Sequence, residues 1–255
     1  MSEPLDSPLP QEEEEESSGM PFLDHLEELR WRLLKSLFAI IIMAGAAFYF
    51  TAELFEFIIA PLGETQLHFT KITGKFYAHL MVSLVAGLLA ALPIIFYQVW
   101  TFIAPGLYKE EKMMVLPLVA TSTILFLAGA AFCYYITLPI GLEFLIGFGT
   151  DEIEPIITVN SYLSFSGLMI IAFGVAFQLP VLSYVLTRLG LLGPQMMAKG
   201  RRYALVGILT LGAILTPPDI FTQLLLAGPI YLLYEISIIV SRMAYKPPEE
   251  DEGDA

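Results

Sequence analysis

Charged residues cut the chain into long windows that contain no Asp, Glu, Lys or Arg: residues 36–52, 76–108, 113–142, 155–187, 203–218 and 220–234. A helix needs about 20 predominantly apolar residues to cross ~30 Å of hydrocarbon. Windows 76–108, 113–142 and 155–187 exceed that, and each predicts one span with an interfacial extension. The first is long enough once Leu33 and Leu34 join it, with Lys35 reaching back to the interface. The last two are shorter, and 220–234 reaches full length only if its helix runs on through Glu235 to Arg242. Between them Thr216-Pro217-Pro218-Asp219 predicts a helix break and a turn, so this pair reads as a short hairpin forming spans five and six. Pro93, Pro180 and Pro229 predict kinked helices and a curved wall, and Gly87 with Ala91 permits close helix contact. Ahead of the second window, Glu53 to Pro61 forms a short amphipathic segment suited to the interface.

Composition agrees with an integral membrane protein. Across 255 residues the hydrophobic share is 56% and the charged share 15%, with mean hydropathy +0.69, whereas a soluble domain carries about 25% charged residues. The net charge of −13 describes the ends, because 12 of the 26 acids lie in 1–19 and 247–255. These two segments are expected to be acidic disordered tails flanking a membrane domain at 20–246, and residues 2–19 lack the basic-then-apolar pattern of a signal peptide. A body with 14 acids and 13 bases has no basic face for nucleic acid. Six spans put 11 of the 13 Lys and Arg on one side, leaving only Lys71 and Lys75 on the other. By the positive-inside rule both termini are then cytoplasmic.

Catalytic chemistry finds few candidates. One cysteine, Cys133, sits in an apolar run, which excludes an internal disulfide or thiolate cluster and reads as a small buried hydrophobe. The three histidines form no His-Glu-x-x-His pair, so no metal site is expected. His79 and Ser83 share a helix face without a nucleophile elbow, and His79 reads as an interfacial hydrogen-bonding residue. No Gly-rich phosphate loop is present, and no cofactor is expected. Gln178, just before Pro180, is the most conspicuous deep polar group, serving either as glue between helices of this chain or as a contact for another protein's helix. Glu235 is placed near an interface where a base can pair with it.

Two segments on the expected cytoplasmic surface remain. Phe22-Leu-Asp-His-Leu-Glu-Glu-Leu-Arg-Trp-Arg-Leu-Leu precedes span one, with Phe22, Leu26, Leu29 and Leu33 on one helix face. Glu28 and Arg32 stand i,i+4, and on composition alone they read as an ordinary surface ion pair. Tyr97-Gln-Val-Trp-Thr-Phe-Ile-Ala-Pro-Gly-Leu-Tyr closes span two.

These segments, together with Ser161-Tyr-Leu-Ser-Phe, Phe173-Gly-Val-Ala-Phe-Gln-Leu-Pro and Leu215-Thr-Pro-Pro-Asp-Ile-Phe-Thr-Gln, resemble the TatC family, the receptor core of the twin-arginine protein translocase, over roughly 20–245. The resemblance implies an all-α, concave, glove-like bundle of six kinked spans in the cytoplasmic (inner) membrane. It implies a homo-oligomer within a complex with TatA- and TatB-like single-span proteins, exporting folded proteins on the proton gradient. By match to the family pattern, Glu28 and Glu111 meet the two arginines of a signal peptide, and Arg30, Arg32, Phe102 and Pro105 build the same patch. Gln178, Asp219 and Gln223 become contacts for partner helices, and Pro61 matches the loop after span one. Arginine's planar fork pairs with a carboxylate through two parallel hydrogen bonds, so two acids on separate segments would favour an Arg pair over a Lys pair. Gln178 departs from the Glu often found at its position, so it cannot titrate. The competing readings are a stand-alone secondary transporter, disfavoured by windows with no mid-membrane charge, and an intramembrane protease acting through His79 and Ser83.

Overall fold

The computed structural model describes residues 20–63, 65–103, 115–147, 156–216 and 219–245, without the side chains of 20–23. The expected tails, and Phe22's side chain, Pro105, Glu111, Pro217 and Pro218, lie outside the described residues. Helix dominates the rest, because hydrocarbon offers no partner to a bare N–H or C=O and a helix satisfies both internally. In chain order come α1 (Met20–Tyr49), α2 (Thr51–Ile59) with a 3₁₀ turn at Ala60–Leu62, β1 (Leu67–His68) and α3 (Gly74–Ile103). Then follow α4 (Val115–Phe132), a π-helical turn (Cys133–Thr137), α5 (Leu138–Gly147), β2 (Ile157–Thr158), α6 (Val159–Ala176), α7 (Leu179–Arg188), α8 (Pro194–Leu215) and α9 (Ile220–Ala244).

Five stretches among the described residues are long and apolar enough to cross a membrane: Asp24–Tyr49, Gly74–Ile103, Val115–Gly147, Val159–Arg188 and Ile220–Ala244. The chain is therefore an all-α, multi-pass membrane protein. The expected fifth span falls in α8, whose every 18-residue window contains Lys199, Arg201 and Arg202. The expectation of a short final span is corrected: α9 is 25 residues long and continues past Glu235. There Arg201 of α8 donates to both carboxylate oxygens of Glu235, from Nε at 2.7 Å and Nη2 at 2.8 Å, offsetting its charge.

The prolines act unequally. Pro180 coincides with a break, since a turn at Phe177–Gln178 separates α6 from α7, whereas Pro93 and Pro229 remain inside α3 and α9. Pro139 lacks the N–H that would reach the carbonyl of Tyr135, and the π turn just before it absorbs the mismatch, with Leu138 N–H bonding Cys133 O.

Small and weakly polar residues hold the helices together. A Cβ on Gly87 would overlap the backbone of Ala44, so α1 and α3 touch along their main chains. Between α7 and α9 runs a buried hydroxyl seam: Ser183 Oγ donates to Ser237 O at 3.1 Å, and Thr187 and Ser241 share a hydrogen bond of 2.8 Å. Near the α2 end, two tyrosines donate to carbonyls of its last turn, of which Phe57 O also accepts from Ala60 N–H. Tyr134 donates to Phe57 O at 2.5 Å and Tyr162 to Ile58 O at 2.6 Å. There β1 and β2 pair in parallel, Leu67 opposite Ile157, tying the loop after α2 to the loop before α6.

Candidate functional site

The N-terminal half of α1 sets His25, Glu28 and Arg32 at spacings of three and four residues, hence on one face. α3 runs antiparallel to it, with Gly87 at Ala44 and the C-terminal turns of α3 beside the first turns of α1. His25 stacks on Phe102 with ring centroids 4.3 Å apart and planes 15° from parallel. Arg32 donates from Nε (2.9 Å) and Nη2 (2.5 Å) to Glu28 Oε1, and from Nη1 to Gln98 Oε1 at 3.5 Å. Both short bonds land on one carboxylate oxygen. The other, Oε2, has His25 Nδ1 at 3.8 Å. Glu28's side chain keeps 39% of its exposure while Arg32 keeps 18%. The result is a half-open carboxylate beside a more buried cation, able to accept hydrogen bonds from a second donor.

This polar face, rather than the apolar one, is what meets α3, for Leu26 and Leu33 are exposed. Behind the site Trp100 is buried and donates from Nε1 to Ser122 Oγ at 2.9 Å, packing with Val119, Val181 and Val185. It anchors the end of α3 that carries Gln98 and Phe102 against α4 and α7.

Of the six residues expected in the arginine-reading patch, Glu28, Arg32 and Phe102 converge here. Arg30 is exposed on α1, and Pro105 and Glu111 lie outside the described residues. The ordinary i,i+4 pair expected from composition is present. His25 and Gln98 complete the cluster without having been singled out; His25's spacing of three from Glu28 was the available signal for it.

The three expected partner-contact residues occupy two separate places, each with work inside the chain. Gln178 is buried at the α6–α7 break, where Nε2 donates to Ser122 O (3.1 Å) and Gly174 O (3.5 Å), and Oε1 has no hydrogen-bond partner among the described residues. Asp219 caps α9, accepting from Thr222 N–H at 2.7 Å and from the Thr222 hydroxyl. Gln223 Nε2 donates to Leu209 O at 2.8 Å, fastening α9 to α8. Pro61 sits in the 3₁₀ turn after α2.

Catalytic geometry is not assembled among the described residues. Ser83 Oγ donates to Leu80 O, and His79 Nδ1 is buried without a hydrogen-bond partner. Its ring packs edge-on to Phe55 at 5.9 Å. No three His, Cys, Asp or Glu side chains among the described residues converge as metal ligands.

Comparison with known proteins assigns the fold a family. Residues 24–229 match the family described as Sec-independent protein translocase protein (TatC). The chain is 41% identical to the TatC protein of Desulforapulum autotrophicum, covering 95% of this chain and 91% of that one. It is 38% identical to the TatC protein of Escherichia coli, covering 87% and 88%. Among solved structures, a crystal structure of the twin-arginine translocase receptor TatC superimposes with a TM-score of 0.79 at 41% identity, covering 86% of this chain and 99% of that one. With membrane-spanning helices in the same arrangement and this identity along nearly all its length, the chain belongs to the TatC family, as a multi-pass transport subunit of the Sec-independent protein translocase rather than an enzyme.

Proposed function

We propose that this chain is the signal receptor of the translocase, holding the two guanidinium groups of a twin-arginine signal peptide with Glu28 and Glu111 at the cytoplasmic face. Arg30, Arg32, Phe102 and Pro105 line the same patch. The observation that carries this reading is the state of Glu28: one oxygen already binds a guanidinium in short charge-assisted hydrogen bonds, and the second is open to another donor. His25 stacked on Phe102 gives that donor a flat wall on the α3 side.

The excess of Lys and Arg on one side supports six spans, α8 among them, with both termini cytoplasmic in the inner membrane. TatA- and TatB-like single-span proteins dock through the region of Gln178 and the Asp219–Gln223 turn, and several copies of the chain assemble with them, drawing on the proton gradient. The buried, unpartnered Oε1 of Gln178 and the tightly capped start of α9 support these positions as rigid polar features on otherwise apolar helices.

Photocrosslinking to a signal peptide in Arg-Arg and Lys-Lys forms tests the site. The Arg-Arg form is expected to label the chain more strongly, and Glu28→Ala with Glu111→Ala to remove the difference. Equal labelling by both peptides, untouched by the double substitution, would overturn it.

A further inference from the structure

A groove of about 590 Å³ opens between α4, α7 and α9, walled by Pro117, Leu125, Pro180, Val181, Tyr184 and Val240. Its wall is apolar throughout, apart from hydroxyls at its rim. α7 climbs from Pro180 past Tyr184 to Arg188, eight residues or about 12 Å. Arg188 therefore stands one helical turn beyond the groove, at its mouth. Its guanidinium lies over the Tyr184 ring, 5.5 Å from the centroid. Among the described residues its Nε is buried without a hydrogen-bond partner and no acid pairs with it. A buried donor left unmade is costly, and more so when it is charged.

Wall chemistry and charge together select the occupant. A hydrocarbon chain matches the wall, and the cation at the mouth calls for an anionic head. A phosphate offers oxygens to the planar fork of arginine, and a tyrosine beneath it is at home where hydrocarbon meets headgroups.

We propose that this groove seats one acyl chain of an anionic phospholipid whose phosphate is held by Arg188. The site lies on α4, α7 and α9, shares no residue with the Glu28 patch, and does not depend on signal-peptide binding.

Native mass spectrometry of the full chain in detergent tests this, with added phosphatidylglycerol or phosphatidylcholine of identical acyl chains. One phosphatidylglycerol is expected to bind about tenfold more tightly than phosphatidylcholine, because the choline ammonium cancels the charge that its phosphate offers Arg188. Arg188→Gln is expected to erase that preference while leaving phosphatidylcholine binding unchanged. Thr121→Trp, on the exposed rim of the groove, is expected to block both lipids, and glycerol phosphate without acyl chains is expected not to bind. Unchanged thermal midpoints for both variants separate loss of the site from loss of the fold. Equal affinity for the two lipids, or a preference that survives Arg188→Gln, would overturn the proposal. So would a photocrosslinker at residue 121 that labels a protein helix or a second copy of the chain in native membranes instead of lipid.

Discussion

Replacing Glu28 by Gln should do more than delete one hydrogen-bond acceptor, and the geometry around Arg32 says by how much. A charge-assisted hydrogen bond contributes about 1.5–3 kcal/mol, so losing the carboxylate weakens binding of an Arg-Arg signal by about tenfold or more. Arg32 adds a second effect. Only 18% exposed, it loses its counter-charge in this variant and is left with neutral acceptors such as Gln98 Oε1 at 3.5 Å. An unneutralised cation about 8 Å from an incoming guanidinium repels it by about 1–2 kcal/mol at an effective dielectric of about 20–40. Removing Arg32 as well relieves that repulsion. The double variant Glu28→Gln/Arg32→Gln should therefore bind the Arg-Arg peptide about fivefold better than Glu28→Gln alone, though still less well than the parent chain. Arg32→Gln alone leaves both oxygens of Glu28 available and should not weaken binding. The assay is fluorescence anisotropy of labelled Arg-Arg and Lys-Lys signal peptides on the purified chain, read as a double-mutant cycle at fixed salt. If Glu28→Gln changes both peptides equally, or the double variant binds no better than the single one, the carboxylate is not reading guanidinium and the reasoning fails.

Three further positions carry outcomes that rest on the packing. Gly87→Ala drives a methyl into the backbone of Ala44 and should lower stability by about 1–3 kcal/mol, seen as a reduced thermal midpoint in detergent. A midpoint unchanged from the parent would mean that α1 is not packed on α3 along its main chain. Tyr162→Phe leaves the Ile58 carbonyl unserved at a cost of about 0.5–1.5 kcal/mol, and hydrogen exchange should quicken across α2 while α9 is unaffected. Gln178→Leu removes the bond to Ser122 O, the longer one to Gly174 O and one unpartnered oxygen together, so its stability should stay within about 1 kcal/mol of the parent. Gln178→Glu, whose ionised form cannot donate to Ser122 O, should melt clearly lower.

Sequence alone sufficed for whatever depends on one helix at a time. Charges are expelled from hydrocarbon, so the uncharged windows trace the bodies of most spanning helices, and Pro180 marked a helix that does not run straight. The i,i+4 pairing of Glu28 with Arg32 was legible for the same reason: both partners ride on one helix with a fixed period. What needed the tertiary structure was every relation between helices. The period of α1 displays an apolar and a polar face, but it does not say which one a neighbour covers. The close Gly87–Ala44 contact turns His25, Glu28 and Arg32 toward α3 and leaves Leu26 and Leu33 outside. The sixth window could not be called long enough until Arg201, 34 residues away, was found neutralising Glu235. Likewise the polarity of Gln178 announced a special residue, yet only the approach of α4 shows its amide feeding the carbonyl of Ser122. Helical period and desolvation act locally and are written in residue order, whereas the choice of facing partner emerges only when separate helices compete for the same surface.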